Sequence, residues 1–397
     1  MRSASGLALL ITIAACNQEA PVSPEAPAPA LAMQGSPRYA ITLHEASLGG
    51  TLSVPNSIDH QGNAGGWSNK EGNQTREAVV WRGSQLIELG TLGGPNSSIQ
   101  WSGQSRSGLV VGIAETNVAD SLSENWSCSA FFPTVTGKVC RGFAWENNVM
   151  IAMPTFGGTH SYATGVNARG DVVGWAETAV HHASCVAPQR LQFVAAIWNP
   201  RRGSMRQLRP IGNDPTSAAT AINERGQVVG ISGLCDDAVG KFSAMSAVMW
   251  DGDQVVDLGN LGGEAWHTPT AINERGDVVG FSNPTGVTGG EFLPRAFKWT
   301  RHGGMIALGL VEGDTWAQAY GMNARGQVVG RSCGGPAGCR AVIWAGTTPT
   351  LLQDLVDPAF PHLLSAARDI NDAGVITGNL THATTRQVHA FTARVGR

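Results

Sequence analysis

The sequence predicts an all-β protein, a β-propeller of seven four-stranded blades, from three observations. A ten-residue segment, 221–230, recurs almost verbatim at 165–174, 271–280 and 321–330, and degenerate copies end at Gly66, Gly112 and Gly378. The glycines that close these segments lie 46 to 62 residues apart, a spacing typical of propeller blades. Only 14% of the residues are charged and 51 are glycines, a composition that suits short strands joined by many turns.

Each repeat divides into four strand-sized pieces, which we call strands a to d. Strand a ends in Ile-Asn, strand b is a Val-Val-Gly run, strand c is an Ala-x-x-Trp piece, and strand d resembles Val-Val-Asp-Leu. Each piece is short, apolar or alternating, and bounded by Gly or Asn. The Asn-x-x-Gly sequence predicts a tight a–b hairpin, so we interpret these residues as turn formers. The repeated Trp of strand c is interpreted as a packing residue between blades.

The two ends of the repeat region predict closure of a ring. The last unit supplies strands a, b and c and then ends, whereas residues 39–43 resemble a strand d with no strand c before it. We therefore expect the N-terminal strand to complete the last blade. Such closure removes the exposed edge of an open array of strands.

The first 38 residues predict export and a lipid anchor. Residues 1–15 read as a signal peptide, and the tetrad Ile-Ala-Ala-Cys at 13–16 resembles a bacterial lipobox, which implies lipidation of Cys16. Residues 16–38 then form the anchor and a Pro- and Ala-rich tether, and residues 39–397 form the propeller. Asn17 favours the outer membrane, on its periplasmic or surface-exposed side, because lipoproteins that stay in the inner membrane carry Asp there.

Six further cysteines predict three disulfides, because an even number of cysteines in an exported chain favours pairing. Two pairs would each close one b–c loop, and the third would join the b–c loops of neighbouring blades. The predicted pairs are Cys128–Cys140, Cys333–Cys339 and Cys185–Cys235. The spacing of the cysteines does not suit zinc, because no closely spaced pair has a second pair or a His at ligand spacing. His181 and His182 do not suit a metal ion either, because adjacent residues of a strand point to opposite faces. No metal or other cofactor is predicted.

The b–c loops and the d–a crossovers should emerge on the same face of the propeller. Because they vary most and sit on a rigid scaffold, we expect ligand binding there. The candidate ligand-binding residues are Trp126, His160, Trp266, His267 and Trp316. Alternatively, these side chains only plug the mouth of the central channel and pack under the loops.

Several units resemble the HAF-repeat family of extracellular bacterial proteins. The segments that carry the resemblance are His389-Ala390-Phe391, residues 89–94 (Leu-Gly-Thr-Leu-Gly-Gly) and residues 271–280. The match covers residues 40–397, although most units lack the His and residues 100–112 depart from the pattern. The resemblance implies an exported repeat protein and supplies no catalytic residues.

The functional expectation follows from what the sequence contains. A net charge of -3 without a basic run argues against nucleic-acid binding. The sequence contains no Gly-x-Ser-x-Gly, His-Glu-x-x-His or P-loop motif, so no catalytic residue is predicted. We expect a monomeric, non-enzymatic binding scaffold, held to the membrane by its lipid, for an envelope protein or polysaccharide. Two alternatives stay open: a propeller hydrolase or lyase acting on extracellular glycans, and a purely structural envelope protein.

Overall fold

The computed structural model describes residues 39–45, 47–105 and 108–396. Within these residues the protein is an all-β propeller with five four-stranded sheets and one eight-stranded sheet. The eight-stranded sheet consists of two antiparallel halves joined by a single parallel bridge between Leu52 and Val388. Counting each half as a blade gives seven blades; we number them on that basis, and the count stays our interpretation. The predicted signal peptide, Cys16 and the tether lie outside the described residues.

Each blade contains strands a to d in chain order, and blade 7 takes its strand d from the N-terminus. Blade 1 consists of β2 (Gly49–Ile58), β3 (Ala64–Lys70), β4 (Arg76–Arg82) and β5 (Gln85–Glu88). Blade 2 consists of β6 (Gly93–Ser98), β7 (Val110–Ala119), β8 (Lys138–Glu146) and β9 (Val149–Ala152). Blade 3 consists of β10 (Gly157–Val166), β11 (Val172–Thr178), β12 (Phe193–Asn199) and β13 (Ser204–Leu208). Blade 4 consists of β14 (Thr216–Ile222), β15 (Val228–Gly233), β16 (Ser246–Asp251) and β17 (Gln254–Asp257). Blade 5 consists of β18 (Thr268–Ile272), β19 (Val278–Ser282), β20 (Arg295–Thr300) and β21 (Gly304–Ala307). Blade 6 consists of β22 (Trp316–Met322), β23 (Val328–Gly335), β24 (Gly338–Ala345) and β25 (Thr348–Leu351). Blade 7 consists of β26 (Leu363–Ile370), β27 (Ile376–Thr381), β28 (Val388–Val395) and β1 (Tyr39–His44). Short 3-10 helices occupy Glu71–Asn73, Asn125–Ser127, Ser129–Phe131, Phe242–Ala244 and Leu352–Leu355.

The predicted closure of the ring is confirmed. Strand β1 pairs antiparallel with β28 from Tyr39 opposite Val395 to His44 opposite Ala390. Strand β28 also pairs with β27, so β1 takes the place of strand d in the last blade. The outer edge of β28 is therefore covered by the chain's own N-terminal strand.

The repeated Asn follows strand a at the a–b turn and also joins neighbouring blades. In blade 4, the side-chain carbonyl of Asn223 accepts the backbone N–H of Gln227 at 2.9 Å, as expected for a turn residue. Its side-chain amide donates to the carbonyl of Asn273 in blade 5 at 3.0 Å. Asn371 makes the corresponding bond to Asp59 across the closure, at 2.9 Å. The Asn residues therefore connect blades around the turn face, a role that the hairpin alone did not predict.

The glycine that closes each repeat permits close contact between strands a and b. In blade 4, Gly230 lies opposite Ala219, and a Cβ on this glycine would collide with the carbonyl of Ala218. The Trp of strand c packs in the core as predicted, and its exposed fraction is 2% for Trp250 and 0% for Trp344. Close approach of the strands and a buried aromatic ring thus pack the core of these blades.

Blade 2 departs from the pattern, as the sequence of residues 100–112 suggested. Its strand a ends at Ser98, and the chain then bends through Trp101 before one isolated bridge between Gln104 and Val110. Its strand c begins at Lys138, earlier than the predicted Phe-Ala-Trp piece. The b–c loop of this blade carries two of the short helices.

The structure contains the three predicted disulfides, Cys128–Cys140, Cys185–Cys235 and Cys333–Cys339. Three of the six cysteines, Cys140, Cys333 and Cys339, lie within strands rather than in the b–c loops, because those strands extend further than predicted. Disulfides persist in oxidising compartments, which is consistent with an extracellular or periplasmic protein. Among the described residues, no helix is long and apolar enough to cross a membrane.

Candidate functional site in the axial cavity

The inner strand a carries a bulge at the same place in six blades. The pairing register with strand b shifts by one residue there, between Ala319 and Gly321 in blade 6 and between Ala367 and Asp369 in blade 7. The residue within each shift lies three positions before the turn Asn or Asp, and we call this the bulge position. Its occupants are Asn56, Thr164, Thr220, Thr270, Tyr320 and Arg368. A bulge redirects its side chain, here at the strand nearest the axis.

Threonine at the bulge position is used for internal bonding. The hydroxyl of Thr164 donates towards the carbonyls of Val173 in its own blade (3.2 Å) and Ala219 in the next (2.9 Å). Thr270 makes the same pair of contacts, at 3.1 Å to Val279 and 3.0 Å to Ala319. These threonines are buried and hold neighbouring inner strands together.

Blades 6 and 7 depart from this pattern and open a cavity on the axis. Tyr320 and Arg368 replace the threonine, and both line a cavity of about 270 Å³. This cavity, which we call the axial cavity, is also lined by Asn56, Gln100, Trp101, Ser102, Thr270, Phe281, Gln318 and Arg331. Residues from five blades therefore converge on one space.

Two guanidinium groups line the axial cavity, and both lie near the ring of Tyr320. The Arg368 guanidinium carbon is 4.7 Å from the Tyr320 ring centre, and that of Arg331 is 5.7 Å from it. Arg331 donates to the side-chain oxygen of Gln318, at 3.1 Å from Nε and 2.7 Å from Nη2. Arg368 Nε donates to the side-chain oxygen of Asn379 at 3.0 Å. Both arginines are thus positioned by neutral partners.

Neither arginine forms an ion pair with a described carboxylate. The lining contains no Asp or Glu, and neither arginine is within 4.0 Å of a described carboxylate oxygen. Arginines elsewhere do form such pairs, as Arg301 does with Asp251 at 3.0 Å and Arg340 with Asp314 at 2.9 Å. Burial lowers the pKa of Arg368 from its ordinary value; the Tyr320 hydroxyl opposes this effect, and the nearby Arg331 adds to it. The axial cavity is therefore a positively charged site.

Two of the five predicted ligand-binding residues lie next to this cavity. Trp266 and Trp316 both contact Phe292, with ring centres 5.0 and 5.8 Å from its ring centre, and we call these three residues the aromatic row. Phe281, a cavity residue, also packs on Phe292 at 5.8 Å. At the other end of the row, the Arg331 guanidinium lies 4.9 Å from the Trp316 ring centre. The row is therefore continuous with the cavity wall.

Trp266 is held in an unusual backbone conformation. Its φ of 64° falls in the left-handed region, which is rare for a bulky aromatic residue. Its indole N–H donates to the carbonyl of Gly290 at 2.9 Å. Its backbone N–H donates to the backbone carbonyl of Lys241 in the preceding blade. Strained residues of this kind cluster at functional sites, where the surrounding structure enforces them.

The two predicted histidines are buried and hydrogen bonded. His160 is 0% exposed, and its Nδ1 accepts the backbone N–H of Cys140 at 3.0 Å. His267 is 1% exposed and bonds through its two ring nitrogens to Ser282 and the carbonyl of Gly263. Burial lowers the pKa of His267 to about 4, so its ring is neutral. Contact with a ligand would require rearrangement, so we leave both histidines out of the site.

Trp126 stands apart from these residues. It lies in the helix Asn125–Ser127, and its exposed fraction is 39%. Trp126 is not among the described residues that line the axial cavity, and its ring does not pair with those of the aromatic row.

A buried acidic cluster in blades 2 and 3 brings Asp120, Glu124 and His160 within metal-ligand distances of one another. His160 Nδ1 accepts a backbone N–H, so Nε2 carries the ring proton and faces Asp120 Oδ2 at 3.4 Å. Burial and the nearby Glu177 raise the pKa of Glu124 to about 7. A protonated ring nitrogen offers no lone pair, so this donor set does not suit a metal ion. The grouping of His160 with Cys128 and Cys140 is closed to metal by the disulfide.

The arginine pair was missed because it occupies places that differ between repeats. The sequence does contain the signal, since the residue three positions before the turn Asn is Thr in three units but Tyr320 and Arg368 in two. The residue after the closing glycine of strand b is apolar in most units but is Arg331 in blade 6. Knowledge of the bulge was needed to see that these side chains meet on the axis.

Comparison with known protein families finds no family that matches this chain, and comparison with curated proteins finds no match either. The resemblance to the HAF-repeat family therefore stays a prediction. Among solved structures, the chain is similar to the acylaminoacyl peptidase of Pyrococcus horikoshii, with a TM-score of 0.51, 11% identity, and coverage of 89% of this chain and 53% of that one. The chain thus spans about half the length of that peptidase, and at this identity the likeness concerns the fold alone.

Two further solved structures align with this chain at TM-scores below 0.5. The β-propeller domain of the Trilobed protease from Pyrococcus furiosus aligns at a TM-score of 0.43, with 10% identity, over 90% of this chain and 94% of that one. The oligogalacturonate lyase of Vibrio parahaemolyticus aligns at 0.47, with 9% identity, over 90% and 92% of the two chains.

Proposed function

We propose that this protein is a non-enzymatic binding protein of the bacterial cell envelope, held to the outer membrane by a lipid on Cys16. Its ligand is an extracellular protein or polysaccharide that contacts the aromatic row and inserts one group into the axial cavity. The observation that carries this proposal is the continuity of the row with the cavity through Phe281 and Arg331. Concave sites with aromatic walls and a few converging polar groups are typical ligand sites.

The chemistry of the described lining favours binding over catalysis. Its side chains are amides, hydroxyls, aromatic rings and guanidiniums. Hydrolysis of a glycosidic bond commonly uses two carboxyl groups on either side of the bond. The side chains of the axial cavity can orient and hold a ligand, but they do not include such a pair.

The test is ligand-dependent thermal unfolding of the purified full-length protein against envelope glycans and oligosaccharides. A ligand that binds the folded state raises the midpoint of unfolding. We expect Trp316→Ala and Trp266→Ala to abolish the increase, because each removes one end of the aromatic row.

The matched control is Trp126→Ala, which removes an exposed indole outside the row. It should leave the ligand-induced increase unchanged. If all three variants respond to ligand as the unchanged protein does, the aromatic row is not the binding surface. If Trp266→Ala and Trp316→Ala only lower the midpoint without ligand, the row serves packing alone.

A further inference from the structure

We infer that the axial cavity is a carboxylate subsite and that its ligand is a sugar acid, either free or as one unit of an acidic polysaccharide. This inference rests on the proposed function and specifies the ligand class of the same site. It is drawn from the arginine pair, from the amide side chains around it, and from the size of the cavity.

The first step is the unbalanced charge. Arg331 and Arg368 both lie near Tyr320 in a space whose described lining contains no carboxylate. Arginine stays protonated under all ordinary conditions, and removing an ion from water is costly unless an opposite charge is supplied. A bound anion supplies that charge. The exposed arginine–carboxylate pairs elsewhere on the molecule have no such requirement.

The second step is the geometry of the donors. A guanidinium presents its N–H groups in a planar fork that matches a carboxylate, and the axial cavity contains two such groups. Arg331 directs Nε and Nη2 to Gln318, and Arg368 directs Nε to Asn379. Neither Nη1 group, nor Nη2 of Arg368, has a described hydrogen-bond partner, so these donors are available to a ligand.

The third step concerns the rest of the ligand. Asn56, Gln100 and Gln318 line the same cavity, and a side-chain amide can both donate to and accept from a hydroxyl group. A ring with several hydroxyls uses these walls, whereas the aliphatic stem of an acidic amino acid does not. A cavity of about 270 Å³ is slightly smaller than the usual range for pockets that hold drug-sized ligands, which suits a single sugar unit. The aromatic row at the margin can then contact the adjoining units of a longer chain.

The test is calorimetric titration of the full-length protein with galacturonate and glucuronate, with galactose and glucose as the neutral counterparts. Trigalacturonate tests whether a polysaccharide is the source. We expect the acids to bind at least tenfold more tightly than the neutral sugars. Arg368→Gln and Arg331→Gln should each abolish this preference. The unfolding midpoint of each variant shows whether it has folded, and Arg331→Lys, which keeps the charge but loses the fork, should give an intermediate loss.

The control variant is Arg301→Gln, which removes an exposed guanidinium paired with Asp251 and should bind as the unchanged protein does. Trigalacturonate binding more tightly than galacturonate identifies a polysaccharide, and equal binding identifies the free acid; both support the inference. Equal binding of acid and neutral sugars, unaffected by the arginine variants, overturns it while leaving the proposed function intact. Equally tight binding of inorganic sulfate, or of tri-aspartate in place of the sugars, also overturns it. If none of these compounds binds, the inference fails, whereas the proposed function is decided by the glycan panel and the Trp266→Ala and Trp316→Ala variants.

Discussion

Asp369, next to the cavity residue Arg368, connects blades 1 and 7 through a carboxyl group whose pKa is raised. Its carboxylate accepts the backbone N–H of Ile58 in blade 1 at 3.0 Å and that of Ile370 at 2.8 Å. Burial raises its pKa to about 7, more than these hydrogen bonds lower it. The adjacent Arg368 lies at the bulge position, so neighbouring residues of strand a serve closure and the axial cavity respectively.

We expect Asp369→Asn to change the pH dependence of stability. Between pH 4 and about 7 the folded protein keeps a proton that the unfolded chain has released, so its free energy of unfolding falls as pH rises. The fall amounts to at most about 1.4 kcal/mol per pH unit. Asparagine does not titrate, so the stability of the unchanged protein minus that of the variant should decrease across this window and level off above it.

Urea unfolding at a series of pH values measures this difference. Glu124, whose pKa is also raised, is present in both proteins and cancels from the comparison. Two stability curves that run parallel from pH 4 to 8 would show that Asp369 does not hold a proton in the folded state.

A disulfide joins the b–c loops of two neighbouring blades. Cys185–Cys235 joins the b–c loop of blade 3 to that of blade 4, and two hydrogen bonds lie beside it. The backbone N–H of Val186 donates to the carbonyl of Cys235, and that of Cys235 donates to the Ser184 hydroxyl. Cys333–Cys339, in contrast, spans one hairpin within blade 6.

We expect loss of the inter-blade disulfide to cost more stability than loss of the hairpin disulfide. The sequence separations are 50 and 6 residues, and the entropy that a crosslink removes from the unfolded chain grows with loop length. The loop-closure relation gives a difference of about 2 kcal/mol between the two. Denaturant unfolding of Cys185→Ser/Cys235→Ser and Cys333→Ser/Cys339→Ser measures it. Equal losses from the two double variants would contradict this ordering.

The strands could be predicted from the sequence because their signals repeat. The Ile-Asn ending of strand a, the Val-Val-Gly of strand b and the Trp of strand c recur in register, so each copy reinforced the others. The axial cavity gave no such signal, because it consists of exceptions such as Tyr320, Arg331 and Arg368. The bulge that directs strand-a side chains to the axis is a break in strand alternation, which a two-residue period does not encode. Burial of His160 and His267 depended on loop packing, which also has no repeating pattern.

At the scale of the whole molecule, pairing of β1 with β28 closes the ring of blades. We expect removal of residues 1–45 to expose the edge of β28 and to lower the unfolding midpoint, because the six residue pairs between the two strands are lost. An uncovered edge strand also favours association between molecules. Removal of residues 1–38 is the control, since it leaves β1 in place.

Light scattering coupled to gel filtration, together with thermal unfolding, compares the two shortened chains. The chain without β1 should form oligomers or aggregates and melt earlier. If it stays monomeric with an unchanged midpoint, the remaining strands hold the ring without their N-terminal partner.

The pairing of Tyr39 with Val395 also brings the beginning and the end of the propeller side by side. A short glycine linker between them would make the chain covalently continuous around the axis. New termini could then be opened at the exposed Gly252 of the c–d turn in blade 4, far along the chain from the original ends. Proteins whose ends lie close together commonly tolerate such circular permutation. The order in which the blades are synthesised could thus be changed while the circle itself, and the cavity at its centre, stay the same.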